Sequence, residues 1–268
     1  MKKTAKHKWA AAVCLFAAAV LIMVNTVKLD GKYYFRFSAD VFLDNCTNED
    51  AHILETMPFI RRLEIRNCIS DNIDFLENKK LLTELSILKY NGDWSPLKSC
   101  KKLQSFSSTN STFDDLTIFS EMDGLEKLNL AVLSYDMQIN SQEGIEKLQS
   151  LKYLNLNGLK EEALYSLGSL SELESLGLSY CDIENIDIDL EKIRYINLSY
   201  NYELKSCSIK NSCIGLKGLT ITDCPKIKLD IDELLSLPSL EEITVTKDVL
   251  TEKEAELLVQ NGISVSIA

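Results

Sequence analysis

The sequence predicts an α/β repeat protein, a solenoid of about eleven stacked units with a parallel β-sheet lining its concave side, and three observations carry this expectation. A nine-residue pattern, Leu-x-x-Leu-x-Leu-x-x-(Cys/Asn/Leu) with Ile, Val or Phe substituting, recurs along the chain. Its first positions fall at 60, 82, 103, 125, 151, 173, 193, 216 and 240, so successive copies lie 20 to 26 residues apart. Stepping 22 residues back from Ile60 reaches Ser38 with Val41, Leu43 and Cys46 in register, and stepping 22 forward from Leu240 reaches Gly262 with Val265 and Ile267. Degenerate units of this kind are expected at the two ends of a stack, where they act as caps.

Each unit is expected to place one short strand whose first, fourth and sixth residues point inward, while the rest returns the chain over the opposite side. No single unit can bury that face; stacking makes the core continuous. Clear copies are Ile60-x-x-Leu63-x-Ile65-x-x-Cys68, Leu151-x-x-Leu154-x-Leu156-x-x-Leu159, Leu173-x-x-Leu176-x-Leu178-x-x-Cys181, Ile193-x-x-Ile196-x-Leu198-x-x-Asn201 and Leu216-x-x-Leu219-x-Ile221-x-x-Cys224. Over roughly residues 38–268 the chain resembles the leucine-rich repeat family, and the units are similar to those of bacterial surface proteins of the internalin-like group. That resemblance implies a horseshoe-shaped fold that recognises other macromolecules. A Leu-Pro-x-Thr-Gly cell-wall signal is absent from the sequence, so adhesion to a host cell is not among the expectations.

The return segments differ among themselves. Residues 142–148, 161–170 and 233–237 carry apolar residues at helical spacing, whereas 182–190 alternates Ile183, Ile186, Ile188 and Leu190 and reads as extended. Near the C-terminus Thr251 is an N-cap for a helix over 252–260, Glu254 completes a capping box, and Gly262 stops the helix.

Lys2, Lys3, Lys6 and Lys8 precede an uncharged stretch over 9–27. Its length corresponds to about 28 Å of helix against a bilayer core of roughly 30 Å, so it reads as a transmembrane signal-anchor or a signal peptide. The lysines place residues 1–8 in the cytoplasm and the repeats outside the cell membrane, with 28–37 as a linker. A cleaved signal, giving a secreted protein, is the alternative; Ala17 and Ala19 suit a cleavage site but would leave Val20-Leu21-Ile22-Met23-Val24 on the product. Lipidation at Cys14 is a third route. All three export the repeats.

Residues 1–28 hold five basic and no acidic side chains, and the remainder carries 24 basic against 40 acidic, a net of −16. That sign argues against nucleic acid as a partner and is compatible with cationic ones. Cys46, Cys68, Cys181 and Cys224 occupy ninth positions. In the leucine-rich repeat family that position holds an Asn or Cys turned inward to bond the neighbouring turn. Buried free thiols are the expectation, with Cys46–Cys68 in consecutive units and Cys207–Cys213 in one return loop as the pairs able to bridge. Zinc is disfavoured because no Cys-x2-Cys occurs and no His accompanies them.

Catalysis has little to stand on, and no cofactor is expected. The two histidines are His7, in the N-terminal segment, and His52, in an early return loop, so no His-based triad or metal pair can be assembled. Gly-rich phosphate loops, His-Glu-x-x-His and Gly-x-Ser-x-Gly are absent. Pairs such as Asp114-Asp115 and Glu161-Glu162 read as solvated loop residues.

The concave face remains. Positions three, five and seven should alternate away from the core; in the central units these are Tyr153, Asn155, Asn157; Ser175, Gly177, Ser179; Tyr195, Asn197, Ser199; and Gly218, Thr220, Thr222. Position eight adds Tyr180 and Tyr200. Tyr153, Asn155, Asn157, Tyr180, Tyr195, Asn197 and Tyr200 are therefore the candidate ligand-binding residues, since tyrosine supplies rigid amphipathic area and Asn and Ser supply hydrogen bonds. Stacked Asn and Ser side chains can equally form a structural ladder on a strand face. Earlier units carry Arg62, Glu64 and Arg66 as a charged strip and Ser105, Ser107 and Thr109 as a bare one. The expected partner is a protein or peptide. Self-assembly or assembly into an envelope structure is one alternative, and glycan binding another, although Trp94, the one Trp expected to be exposed, falls in a return loop. Asn45-Cys46-Thr47, Asn110-Ser111-Thr112 and Asn197-Leu198-Ser199 match short glycosylation triplets.

Overall fold

The computed structural model describes residues 15, 17, 20–131, 139–159 and 167–268. Lys2, Lys3, Lys6, Lys8, His7, Cys14, much of segment 9–27 and the first part of return segment 161–170 lie outside the described residues. An antiparallel hairpin, β1 (Thr26–Leu29) and β2 (Lys32–Phe35), precedes the repeats. The residues expected as a linker thus form an N-terminal cap. Val27 and Leu29 enter the core, Asp30 Oδ2 accepts from the backbone of Asp44 and Asn45, and Asp50 Oδ1 accepts from Asp30 N.

The expected apolar helix also ends earlier than 27. Residues 20–24 are helical and Asn25 turns the chain. Asn25 Nδ2 and Thr26 Oγ1 donate to the carbonyls of Leu21 and Ile22 at 2.8 and 2.7 Å, satisfying helix-end acceptors and releasing Thr26 into β1. Among the described residues no helix is long and apolar enough to cross a membrane.

Every copy of the nine-residue pattern becomes a strand that begins at its third position. These are β3 (Asp40–Leu43), β4 (Arg62–Ile65), β5 (Glu84–Leu88), β6 (Ser105–Thr109), β7 (Lys127–Ala131), β8 (Tyr153–Asn157), β9 (Ser175–Ser179), β11 (Tyr195–Asn197), β13 (Gly218–Ile221), β14 (Glu242–Val245) and β15 (Ser264–Ile267). Together they form one 11-stranded sheet in chain order, and its strand pairs are parallel. Besides the β1–β2 hairpin, β10 (Asn185–Ile188) and β12 (Ser206–Ile209) stand apart, as a two-stranded parallel sheet built from return segments. First, fourth and sixth positions such as Ile60, Leu63 and Ile65, or Leu151, Leu154 and Leu156, are buried as expected.

In six of the units position eight ends the strand by a device the apolar pattern does not reveal: Lys89, Asn110, Gly158, Tyr180, Tyr200 and Asp223 all have φ between 54° and 77°. This left-handed residue turns the chain and delivers position nine into the core. There Asn201 Nδ2 donates to the carbonyls of Leu178 and Leu198 at 2.9 and 2.7 Å, and its Oδ1 accepts from Cys181 N at 2.8 Å. Cys181 and Cys224 place their thiols against Leu156 O and Leu198 O. Inward ninth positions thus join neighbouring turns through backbone groups that would otherwise be buried without partners.

The seven described cysteines are buried free thiols. Cys46 and Cys68 face each other across a parallel bridge, and contact with Cys68 together with burial pushes the Cys46 thiol up. Cys207 points inward from β12, whereas Cys213 Sγ turns to Ile188 O and Leu190 N of the preceding coil, so these two do not bridge.

The convex side is shorter-stepped than its apolar spacing suggests. Residues 142–148 supply one 3-10 turn, Ile145–Lys147, entered through Gly144 at φ 95°. A unit of some two dozen residues leaves room for little more once strand and turns are made. The 233–237 signal becomes α2 (Ile231–Leu235), shifted because Asp230 caps Glu233 N; α1 (Asn48–Glu55) follows its own capping box at Thr47. Residues 182–190 are extended as β10, and α3 (Glu252–Gln260) has the expected Thr251/Glu254 box. Trp94 is not exposed: it is 8% accessible, stacked on Phe113 at 4.9 Å and edge-on to Tyr90 and Phe106. Return segments of a solenoid supply the second wall of its core, so an aromatic residue there packs inward.

Candidate functional site

Parallel register makes the concave face a grid. Along position three, Tyr153, Ser175, Tyr195, Gly218 and Glu242 are neighbours on β8, β9, β11, β13 and β14. Large and small residues alternate, so the two tyrosines flank a gap two strand spacings wide, about 10 Å. A hollow of ≈ 230 Å³ takes in this gap and continues past Tyr195; its lining includes Tyr153, Asn155, Gly177, Tyr195, Asn197 and Glu242. Tyr153 and Tyr195 are 40% and 49% exposed.

Two glycines keep it open. A Cβ on Gly177 would stand 2.3 Å from Asn155 Oδ1, and one on Gly218 would meet Glu242 Oε1 and Tyr195 Cδ1, each at 3.0 Å. Glu242 therefore lies over Gly218 toward the Tyr195 ring. Among the described residues its carboxylate enters no ion pair, while neighbouring Glu241 is held by Lys217 at 2.8 Å. An unpaired carboxylate facing an exposed ring is an environment for a cation.

The structure divides the expected site residues. Tyr153, Asn155, Tyr195 and Asn197 meet at the hollow. Asn155 also belongs to a ladder, donating to Asn129 Oδ1 at 2.7 Å as Asn129 donates to Ser107 Oγ at 3.1 Å, and Asn197 Oδ1 accepts from Ser199 N. Asn157 does not line the hollow; its Oδ1 is buried without a hydrogen-bond partner among the described residues. Tyr180 and Tyr200 are apart from it too, at the left-handed ends of their strands, ring on ring at 4.7 Å and 3°.

Other expectations are corrected. Ser199 and Thr222 are 4% and 9% exposed, because position seven lies where the strand ends close together, and Thr222 N donates to Ser199 Oγ; Gly218 is buried because the side chains of Glu242 and Tyr195 close over it. The early charged strip is self-neutralised: Arg62 pairs with Glu84, and Arg66 with Glu64 and Asp44. Glu242 and Gly218 belong to the site although they were not among the expected residues. Reading position three down the aligned units is the signal that finds them.

Burial holds the thiols of Cys100, Cys181 and Cys207 up at about 12, in their protonated, unreactive form. His52 lies in α1 with its side chain 84% exposed, 3.3 Å from Glu55. Among the described residues no group of three or more His, Cys, Asp or Glu side chains is placed to hold a metal ion.

No protein-family model matches the sequence, and no curated protein matches it. Solved structures do. An internalin (inlF) of Listeria monocytogenes is 15% identical over 89% of this chain and 90% of its own, with a TM-score of 0.52. Internalin C2 of the same organism is 19% identical over 78% of each chain, TM-score 0.49. A leucine-rich repeat protein of Leptospira interrogans is 16% identical over 84% of this chain and 76% of its own, TM-score 0.49. The strand grid and the internalin likeness agree on an internalin-like leucine-rich repeat fold.

Proposed function

We propose that this chain is an exported, membrane-anchored recognition protein whose concave face binds a protein or peptide ligand, and that the hollow running from Tyr153 past Tyr195 to Glu242 receives a basic side chain of that ligand. The carrying observation is the row Tyr153, Ser175, Tyr195, Gly218, Glu242, in which two exposed rings stand on either side of Ser175 and a carboxylate faces the second ring across Gly218. A Lys or Arg side chain laid over Gly218 would meet the Tyr195 ring and the Glu242 charge together, a cation–ring contact worth roughly 0.5–2 kcal/mol. The net charge of −16 outside residues 1–28 adds longer-range attraction for cationic partners.

Export and anchoring are supported by the basic residues before segment 9–27 and by its apolar character. The role is non-catalytic in this reading, which rests on a lining of tyrosine, Ser175 and Thr220 hydroxyls, amides and one carboxylate.

The test is titration of the purified chain with an arginine-rich dodecapeptide and its glutamate-substituted counterpart, followed by calorimetry. Saturable binding of the basic peptide is expected, weakened by Glu242→Gln and by Tyr195→Ser but not by Glu252→Gln, which removes one exposed charge from α3. Equal loss from Glu242→Gln and Glu252→Gln would mean that bulk charge alone attracts the peptide, and the hollow would lose its assignment.

A further inference from the structure

A second exposed cluster lies at the opposite end of the chain from Glu242. Phe35 and Phe37 pack edge to face at 5.3 Å, and Phe37 packs on Phe59 at 5.7 Å. The three remain 44%, 48% and 48% exposed, an unusual state for adjoining phenylalanines with no partner. The cluster continues into a second hollow lined by Phe37, Ala39, Phe59, Arg61 and Leu81.

Its position relative to the N-terminal segment is set by backbone hydrogen bonds. Arg36, which separates the two phenylalanines, donates its N–H to Asn25 O at 2.6 Å, and Asn25 N donates back to Leu21 O and Ile22 O of the helical turn. No linker intervenes between the apolar helix end and the aromatic cluster. Leu21, Ile22, Met23 and Val24 are themselves 58–78% exposed.

We propose that Phe35, Phe37 and Phe59 form an aromatic foot that seats the N-terminal end of the solenoid in the headgroup layer of the bilayer entered by segment 9–24. The inference rests on the anchored reading above and deepens it. Phenylalanine is among the apolar side chains that interfacial elements bury at the boundary between headgroups and acyl chains. Arg36 and Arg61 border the cluster and suit anionic headgroups. The acidic remainder of the domain is repelled by the same surface, so the foot would hold the stack pointing away from the membrane with its concave face open to ligand.

The experiment uses the full chain with Trp9→Phe and Phe37→Trp, reconstituted in vesicles of phosphatidylcholine and phosphatidylglycerol, with and without phosphatidylcholine brominated near the headgroup. Trp94 is buried and present in every sample, so Trp9→Phe alone is the reference. Co-flotation with the vesicles reads the anchor, and loss of emission from the indole introduced by Phe37→Trp reads the foot. The expected result is co-flotation together with blue-shifted emission that shallow bromines quench, and no such quenching for Tyr195→Trp. Co-flotation with no quenching of the Phe37→Trp indole overturns the foot and leaves the anchor standing. Blue-shifted, unquenched emission with a cross-linked dimer assigns the cluster to a second copy of the chain and overturns it as well. Failure to float removes the anchor and the foot together.

Discussion

Lys79 is wholly inaccessible, and its Nζ donates to Leu54 O at 2.8 Å, near the C-terminal end of α1. The carbonyl end of a helix favours a cation, yet loss of water dominates, and burial lowers the ammonium from 10.5 to about 8. A shift of this size corresponds to about 3 kcal/mol. The folded pKa lies below the unfolded one, so the penalty is present in full below about pH 8, where both states are protonated. Between about pH 8 and 10.5 the folded chain sheds the proton that the unfolded chain keeps, and stability rises with pH across that window. Lys79→Met retains the apolar stem and removes the titration. Urea unfolding of both proteins at neutral pH and at pH 10.5 isolates this group, because every other titration is shared. Relative to Lys79→Met, the natural chain should gain about 3 kcal/mol over that range. Parallel pH profiles would refute the reasoning and mean that the ammonium is hydrated in solution.

Two further outcomes are expected. Asn201→Ala strands three buried backbone groups and should lower unfolding stability by about 3 kcal/mol or more, whereas Asn201→Cys, the residue found at the same position in the units of Cys181 and Cys224, should lose less; urea midpoints compare them. Tyr180→Ala loses the Tyr200 stack while keeping a left-handed backbone at φ 55°, and should cost about 1 kcal/mol; Tyr180→Gly loses the same stack but relieves the backbone and should melt at a higher temperature than Tyr180→Ala.

Much of the architecture could be read from spacing. The strands of the large sheet, from Asp40–Leu43 to Ser264–Ile267, start at the third position of units counted from the apolar pattern. The Thr251–Glu254 box likewise marks its helix. Both are local: a strand face needs alternate apolar residues, and a cap needs a hydroxyl three residues before a carboxylate. Trp94 and the hairpin over 26–35 escaped the same reading because their burial depends on which coil lies beside them.

By itself the sequence determined the repeat, its register and the Tyr- and Asn-rich concave strip, since each follows from residue type at a fixed spacing; the inward ninth positions were implied by the resemblance to leucine-rich repeats. Tertiary structure decided which of those tyrosines line one hollow. Tyr153 and Tyr195 are 42 residues apart in sequence but two strands apart in the sheet, with Ser175 between them and Gly218 and Glu242 beyond. Tyr180 and Tyr200, which share the repeat's periodicity, are turned away to the strand ends by left-handed backbone. Which side chains share a hollow is a property of the stack, because neighbours across a parallel sheet come from different turns of the chain.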